Sequence, residues 1–383
     1  MRNDRWHPLI DREKQQIARR YHNEHFLLNL ISTSVSVIII IAIIKLQISQ
    51  NIFKIITGLT SSRFLQVFFY FTFFYLLYSI IILPFSYIGG FKIEHKYSFS
   101  TQTLKAWFCD EIKSFFVGLV LGVLVMEVLY AITFYAPDMW WLYFSLIMLV
   151  FSVVLSNLAP VLILPLFYKT MPVPDGSLKN RIKEICEKAD INIEGVYTIN
   201  LSSKSKKANA AVVGLGNTKK ILLGDTLLTK YDENEILVAL AHEITHYQEH
   251  HIWYLILWQS IITLVMFYLF YRLHNYVYLW AGFNNISDIA AFPVFVLVFS
   301  ILLFVFKPLG AAISRYYEKR ADYGALILTE TPQYFFSLIA KFCNQELALA
   351  YPNPLIEFYS YLHPSPGKRI AFAEKFMKRT QNV

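Results

Sequence analysis

The sequence predicts a mainly α-helical, polytopic membrane protein of about six spans, with a soluble segment that contains a small β-sheet. Three observations predict it. Of 383 residues, 56% are apolar and only 16% are charged, whereas soluble globular proteins carry about a quarter charged residues. Six stretches approach or exceed the ~18 apolar residues that mark a membrane helix. Between the fourth and fifth stretches the composition turns polar and carries turn and strand signals.

The six spans read as Phe26–Ile44, Phe64–Tyr87, Phe115–Pro137, Trp140–Phe167, Ile252–Tyr271 and Ile289–Phe306. Pro160 and Pro165 predict kinked or unwound last turns in the fourth, because proline removes a helix donor and clashes with the preceding turn. Glu127 lies in the middle of the third. A carboxylate at that depth is expensive, so it either faces a water-filled chamber or is a protonated structural group. Lys and Arg counts set the orientation. The segment before the first span holds Arg2, Arg5, Arg12, Lys14, Arg19 and Arg20; the loop after the second holds Lys92, Lys96, Lys105 and Lys113; the loop Ala136–Met139 holds none. The alternation places both termini and both segments flanking the last hairpin in the cytoplasm.

Basic residues at span ends also account for the net charge of +8. No basic cluster is joined to a nucleic-acid fold signature, so no nucleic-acid partner is expected. Cys109, Cys186 and Cys343 are scattered and odd in number, with neither metal spacing nor a disulfide pattern, and read as inert thiols. The first 25 residues are polar and show no cleavable signal pattern.

The expected organisation is a cytoplasmic segment (1–25), four spans with a cytoplasmic loop at 88–114 (26–168), a soluble αβ segment with a histidine-bearing helix (169–251), a membrane hairpin (252–308) and C-terminal helices (309–383). Within the soluble segment, Met171–Gly176 reads as a linker and Ser177–Ala189 as a helix. Gly195–Asn200, Asn209–Val213 and Lys219–Leu223 read as strands, the last two joined through the hairpin signal Gly214–Thr218. From Glu233 a helical pattern runs without a breaker into the fifth span.

That helix carries His242-Glu243-Ile244-Thr245-His246. Four-residue spacing puts both imidazoles on one helical face, one turn apart, where both can bind one tetrahedral Zn2+. Glu243 adjoins the first ligand, placed as general base for a water whose pKa zinc lowers to about 7. A catalytic zinc needs a third protein ligand and an open position. Glu249, seven past His242, lies too far along the helix. Glu318 follows the sixth span, and two spans return the chain to the face it left, so it is the expected third ligand. Asp322, one turn further, can fix the tautomer of a ligand histidine. His250 and His251 read as markers of the membrane interface.

Several separate motifs then resemble those of the type I CAAX prenyl endopeptidases, integral-membrane zinc proteases that process farnesylated C-termini. They are Ile93–Phe99 with Gln102-Thr103-Leu104; Pro165-Leu166-Phe167 with Pro172–Gly176; Asn209-Ala210 with Ile221–Leu228; Ser314-Arg315, Glu318, Ala321-Asp322 and Ala325; and His363-Pro364 with Arg369-Ile370. The resemblance covers most of the chain from the second span onward. It implies that one zinc is bound by His242, His246 and Glu318, that Glu243 is the base, and that Asn209 and His363 contact the substrate backbone or oxyanion. Read alone, Asn209 is equally a turn residue and His363 a cap before Pro364. The resemblance also implies a helical bundle enclosing a chamber, and peptide or protein substrates, including ones with a lipidated C-terminus. The family members carry a seventh, N-terminal span and an insertion before the zinc helix, both absent here, and Glu127 has no counterpart. The compact chain fits a bacterial relative in the inner membrane (the endoplasmic reticulum membrane in a eukaryote), with the site facing the cytoplasm.

Two other readings compete. A quality-control protease of the HtpX type shares the zinc motif, but such proteins have four spans. A non-catalytic membrane scaffold would have no need of Glu243.

Overall fold

A computed structural model describes residues 6–214, 219–283 and 285–380. Among the described residues, six helices are long and apolar enough to cross a membrane: Arg12–Lys45, Arg63–Lys96, Leu104–Tyr135, Trp140–Phe167, His251–Ala281 and Ile289–Thr329. All but the fourth extend past the apolar stretches read from the sequence. The consequence is greatest in the last. It runs unbroken from the membrane through Glu318, about 18 Å beyond Phe306 at 1.5 Å per residue.

The prolines of the fourth span do not unwind it. The chain widens into π-helical turns at Ala159–Ile163 and resumes as α-helix to Phe167, which re-pairs backbone groups that Pro160 and Pro165 would leave open. The second span widens likewise at Tyr87–Ile93. Residues 45–63, which link the first two expected spans, contain a helix at Ile48–Leu59. Twelve residues rise only about 18 Å, so a search for full-length spans passes over it. It packs by Ile56 and by buried Ser49, whose hydroxyl bonds Tyr70 Oη at 2.5 Å and also donates to the Ala290 carbonyl. Close by, Arg63 Nη2 donates to Ser287 O at 2.6 Å and Lys45 Nζ lies 3.9 Å over the Trp280 ring. The 45–63 and 281–289 connections therefore meet at one end of the bundle.

At the other end sits a four-stranded sheet in the order β1-β2-β4-β3, where β1 is Thr170–Pro172, β2 Gly195–Ile199, β3 Ala210–Val213 and β4 Lys220–Gly224. β1, expected as linker, pairs antiparallel with β2; β2 and β4 are parallel; β3 and β4 form the antiparallel hairpin. The connecting turn at 215–218 lies outside the described residues. Ile221 and Leu223 of β4 join Ile182 of the helix Ser177–Lys188 and Ile236, Leu240 and Ile244 of the histidine helix in one buried core. A second core fills the membrane bundle around Trp140, Phe267 and Phe270. A cavity of about 1170 Å³ opens among the first, fourth, fifth and sixth spans. Its mostly apolar lining includes Asn29, Thr33, Gln259 and Lys307 and reaches Leu362, the neighbour of His363.

Candidate metal centre

The histidine helix is Glu233–Gln248. A capping box starts it: Asp232 accepts from Asn234 N at 2.8 Å, and its own N–H donates to Glu235 Oε2 at 2.9 Å. Together these satisfy donors that a helix start leaves open. Buried Glu235 also takes Ser337 Oγ at 2.5 Å and Lys341 Nζ at 2.6 Å, which anchors the helix start to Pro332–Gln345. One helix face, Ile236-Leu240-Ile244, packs into the core with the sheet. Another meets the long helix Ile289–Thr329 through small residues. A methyl group added at Gly324 would stand 2.3 Å from Thr245 Cγ2, so glycine permits the close approach.

The expected ligands converge here. His242 Nε2 is 3.0 Å from Glu318 Oε2, His246 Nε2 is 3.3 Å from His242 Nε2, and His246 Nε2 is 3.6 Å from Glu318 Oε1. Donors about 2.0–2.1 Å from one tetrahedral ion stand roughly 3.3 Å apart, and these separations, taken to one or the other Glu318 oxygen, are of that size. His363 Nδ1 also reaches Glu318 Oε2, at 2.6 Å, and His242, Glu318 and His363 together form a group able to hold a metal. A separation of 2.6 Å is too short for two ligands of one zinc and is a charge-assisted hydrogen bond. His246 Nε2 thus stands at ligand-like separations from His242 and Glu318, whereas His363 Nδ1 does not. His363 remains 58% exposed.

Asp322 is where the sequence puts it. Its Oδ1 is 3.0 Å from His242 Nδ1, and Arg369 closes the far side with Nε 2.9 Å from Oδ2 and Nη2 2.6 Å from Oδ1. Burial by itself pushes the His242 pKa down. The hydrogen bonds to Asp322 and Glu318 outweigh it and raise the pKa to about 9. The negative field that holds a proton there suits a dication equally well. Glu243 is partly buried beside this cluster, and its charge acts on Tyr247 and Arg369.

Asn209 stands exposed at the head of edge strand β3. It lines a cavity of about 410 Å³ between the end of the fourth span and the sheet, outside the hydrogen-bonded cluster just described. Glu127 does not join the cluster either. Its Oε1 is buried without a hydrogen-bond partner among the described residues.

The helix does not run through to the fifth span. It ends at Gln248, His250 adopts a left-handed conformation at φ 58°, and a new helix starts at His251. His251 is 1% exposed and bonds His246 and Glu249, so it is part of the site and not an interface marker. The break was hidden because neither glycine nor proline marks it. Arg315, whose only sequence signal is its place in a motif, also bears on the site. Its Nη1 donates to Glu357 O at 3.1 Å and Tyr361 O at 2.6 Å, steadying the segment that carries His363.

Residues 4–169 match the family model described as CAAX prenyl protease N-terminal, five membrane helices, and residues 172–377 match that of peptidase family M48. Among relatives, the chain is 31% identical to the Bacillus subtilis protein named uncharacterized metalloprotease YhfN, over 94% of this chain and 85% of that one. It is 28% identical to Saccharomyces cerevisiae CAAX prenyl protease 1, over 79% and 71%. The crystal structure of S. mikatae Ste24p superposes with a TM-score of 0.86 at 23% identity, covering 96% of this chain and 90% of that one; it shares the fold. A metal-suited His/Glu cluster on a multi-pass helical bundle, matched end to end by these models, has one reading: the chain belongs to peptidase family M48, as a membrane metalloendopeptidase resembling the CAAX prenyl proteases.

Proposed function

We propose that His242, His246 and Glu318 hold one zinc ion and that Glu243 is the general base of peptide-bond hydrolysis at the membrane surface. The separations of 3.0 Å (His242 Nε2 to Glu318 Oε2), 3.3 Å (between the two histidine Nε2 atoms) and 3.6 Å (His246 Nε2 to Glu318 Oε1) carry this reading. When bound, zinc supplies a Lewis acid that acidifies water and polarises a carbonyl. Glu243 accepts the proton of the attacking water and returns it to the leaving amine. His363, donating Nδ1–H to Glu318, can stabilise the developing oxyanion only as the imidazolium, whose Nε2–H is then a second donor, a contact type worth a few kcal/mol.

The substrate enters as an extended strand along β3. In antiparallel pairing, inward and outward backbone groups alternate. Gly224 N donates to Asn209 O at 2.9 Å, so the backbone of Ala210 faces outward and is open to a peptide. Asn209 would hold that peptide's backbone by its side chain. The apolar cavity reaching Leu362 would hold an apolar or lipidated C-terminal segment. Lys/Arg alternation favours a cytoplasmic site, and the compact chain fits a bacterial inner membrane.

The test is Glu243→Gln. Proteolysis should be abolished while one zinc per chain is retained; a variant that still cleaves peptides overturns the mechanism. Matched prenylated and unprenylated peptides, with and without chelator, test the lipid preference.

A further inference from the structure

The two histidines of the metal helix are oriented by different kinds of partner. His242 Nδ1 meets a carboxylate, Asp322. His246 Nδ1 instead lies 3.1 Å from Nδ1 of a second imidazole, His251. His251 Nε2 lies 3.0 Å from Glu249 Oε2, and Arg320 Nε holds that oxygen at 2.5 Å. Side chains five residues apart on an unbroken helix point about 140° apart around the axis. The turn at Glu249–His250 is what brings the His251 ring back over His246.

The protons on this chain of contacts can be assigned in order, starting from its charged end. Glu249, paired with Arg320, accepts only. The facing His251 Nε2 must therefore carry the proton, since two acceptors would repel. A neutral His251 then presents a lone pair at Nδ1. His246 Nδ1 must donate to it, which leaves a lone pair on His246 Nε2, the atom that faces His242 and Glu318. The opposite arrangement protonates His246 Nε2 and sets the Glu249 carboxylate against a lone pair.

We propose that His251, backed by Glu249 and Arg320, is a positioning residue for the metal centre. It accepts the Nδ1–H of His246 and so fixes the tautomer that offers Nε2 to the ion. The proposal rests on the ligand set given above. It makes the centre asymmetric: one ligand histidine is backed by an anion, the other by a neutral ring buried at 1% exposure.

The test uses the full chain in detergent, with Zn2+ competed against a chromophoric chelator and Co2+ as a spectroscopic probe. Partners of this kind typically contribute 10–100-fold in metal affinity. His251→Ala should therefore weaken zinc by about 10- to 100-fold and shift the Co2+ absorption bands. His251→Asn, which puts an amide oxygen near the lost Nδ1, should restore most of the affinity. Glu249→Gln, which no longer dictates the His251 tautomer, should give a smaller loss in the same direction. Wild-type affinity and spectrum in His251→Ala, or His251→Asn as weak as His251→Ala, overturns the proposal. His246→Ala separates the two readings. If it abolishes binding while His251→Ala does not, only the positioning role fails; if it too binds normally, the ligand set fails.

Discussion

Asp322 joins the metal helix to the last helix of the chain: one carboxylate lies 3.0 Å from His242 Nδ1 and is forked by Arg369 on its other side. Three parts of the sequence, at 242, 322 and 369, are thus locked by one side chain that is itself 1% exposed. Removing one partner of a buried ion pair leaves the other uncompensated. Asp322→Asn is expected to cost about 3 kcal/mol of stability and to weaken zinc about 10- to 100-fold. Thermal unfolding and chelator competition on the purified protein check the two effects.

Arg315 acts on the other flank. Its guanidinium grips the carbonyls of Glu357 and Tyr361 just before His363. Arg315→Ala should lower turnover about 10- to 100-fold, the scale of a 1 Å misplacement, while zinc content stays at one per chain. Loss of zinc in this variant would place Arg315 in the support of the ligands instead.

Gly324 sets the spacing between the two ligand-bearing helices. An added methyl meets Thr245 at 2.3 Å, far inside contact distance. Both helices are packed, so relief requires one to move, and overpacking typically costs 1–3 kcal/mol. Gly324→Ala should lower the melting temperature and loosen zinc together. An unchanged melting temperature would show that the interface yields freely.

The thiols report sidedness. Cys186 and Cys343 are buried, and burial pushes their pKa values up to about 11 and about 12. Few of them are thiolate at neutral pH, and thiolate is the reactive form. Cys109 is exposed at the start of the third span, near the metal-bearing end of the bundle. A membrane-impermeant maleimide should label one thiol per chain, and only from the cytoplasmic face of oriented vesicles. Labelling from the opposite face would reverse the orientation.

Much of the site was legible in the sequence because its signals are local or follow from topology. His242 and His246 share a face by helical spacing alone. Glu318 was reachable because a two-span hairpin returns the chain to its starting side. Membrane spans are equally legible, since lipid imposes about 18 apolar residues on any helix that crosses it. The short helix Ile48–Leu59 falls below that length, so the same rule does not see it.

What the sequence by itself determined is the donor chemistry: a histidine pair spaced for a metal with a carboxylate beside it, on a protein built of spans. What only the tertiary structure decided is how that pair is held. His251 stands five residues from His246, where an unbroken helix would turn it away. A left-handed residue at His250, unmarked by glycine or proline, redirects it into the site. Likewise nothing local to Arg369 or Arg315 says which carboxylate or carbonyl each will meet. Such partners are chosen by the packing of helices distant in sequence. They are visible only once burial has removed water as the alternative partner.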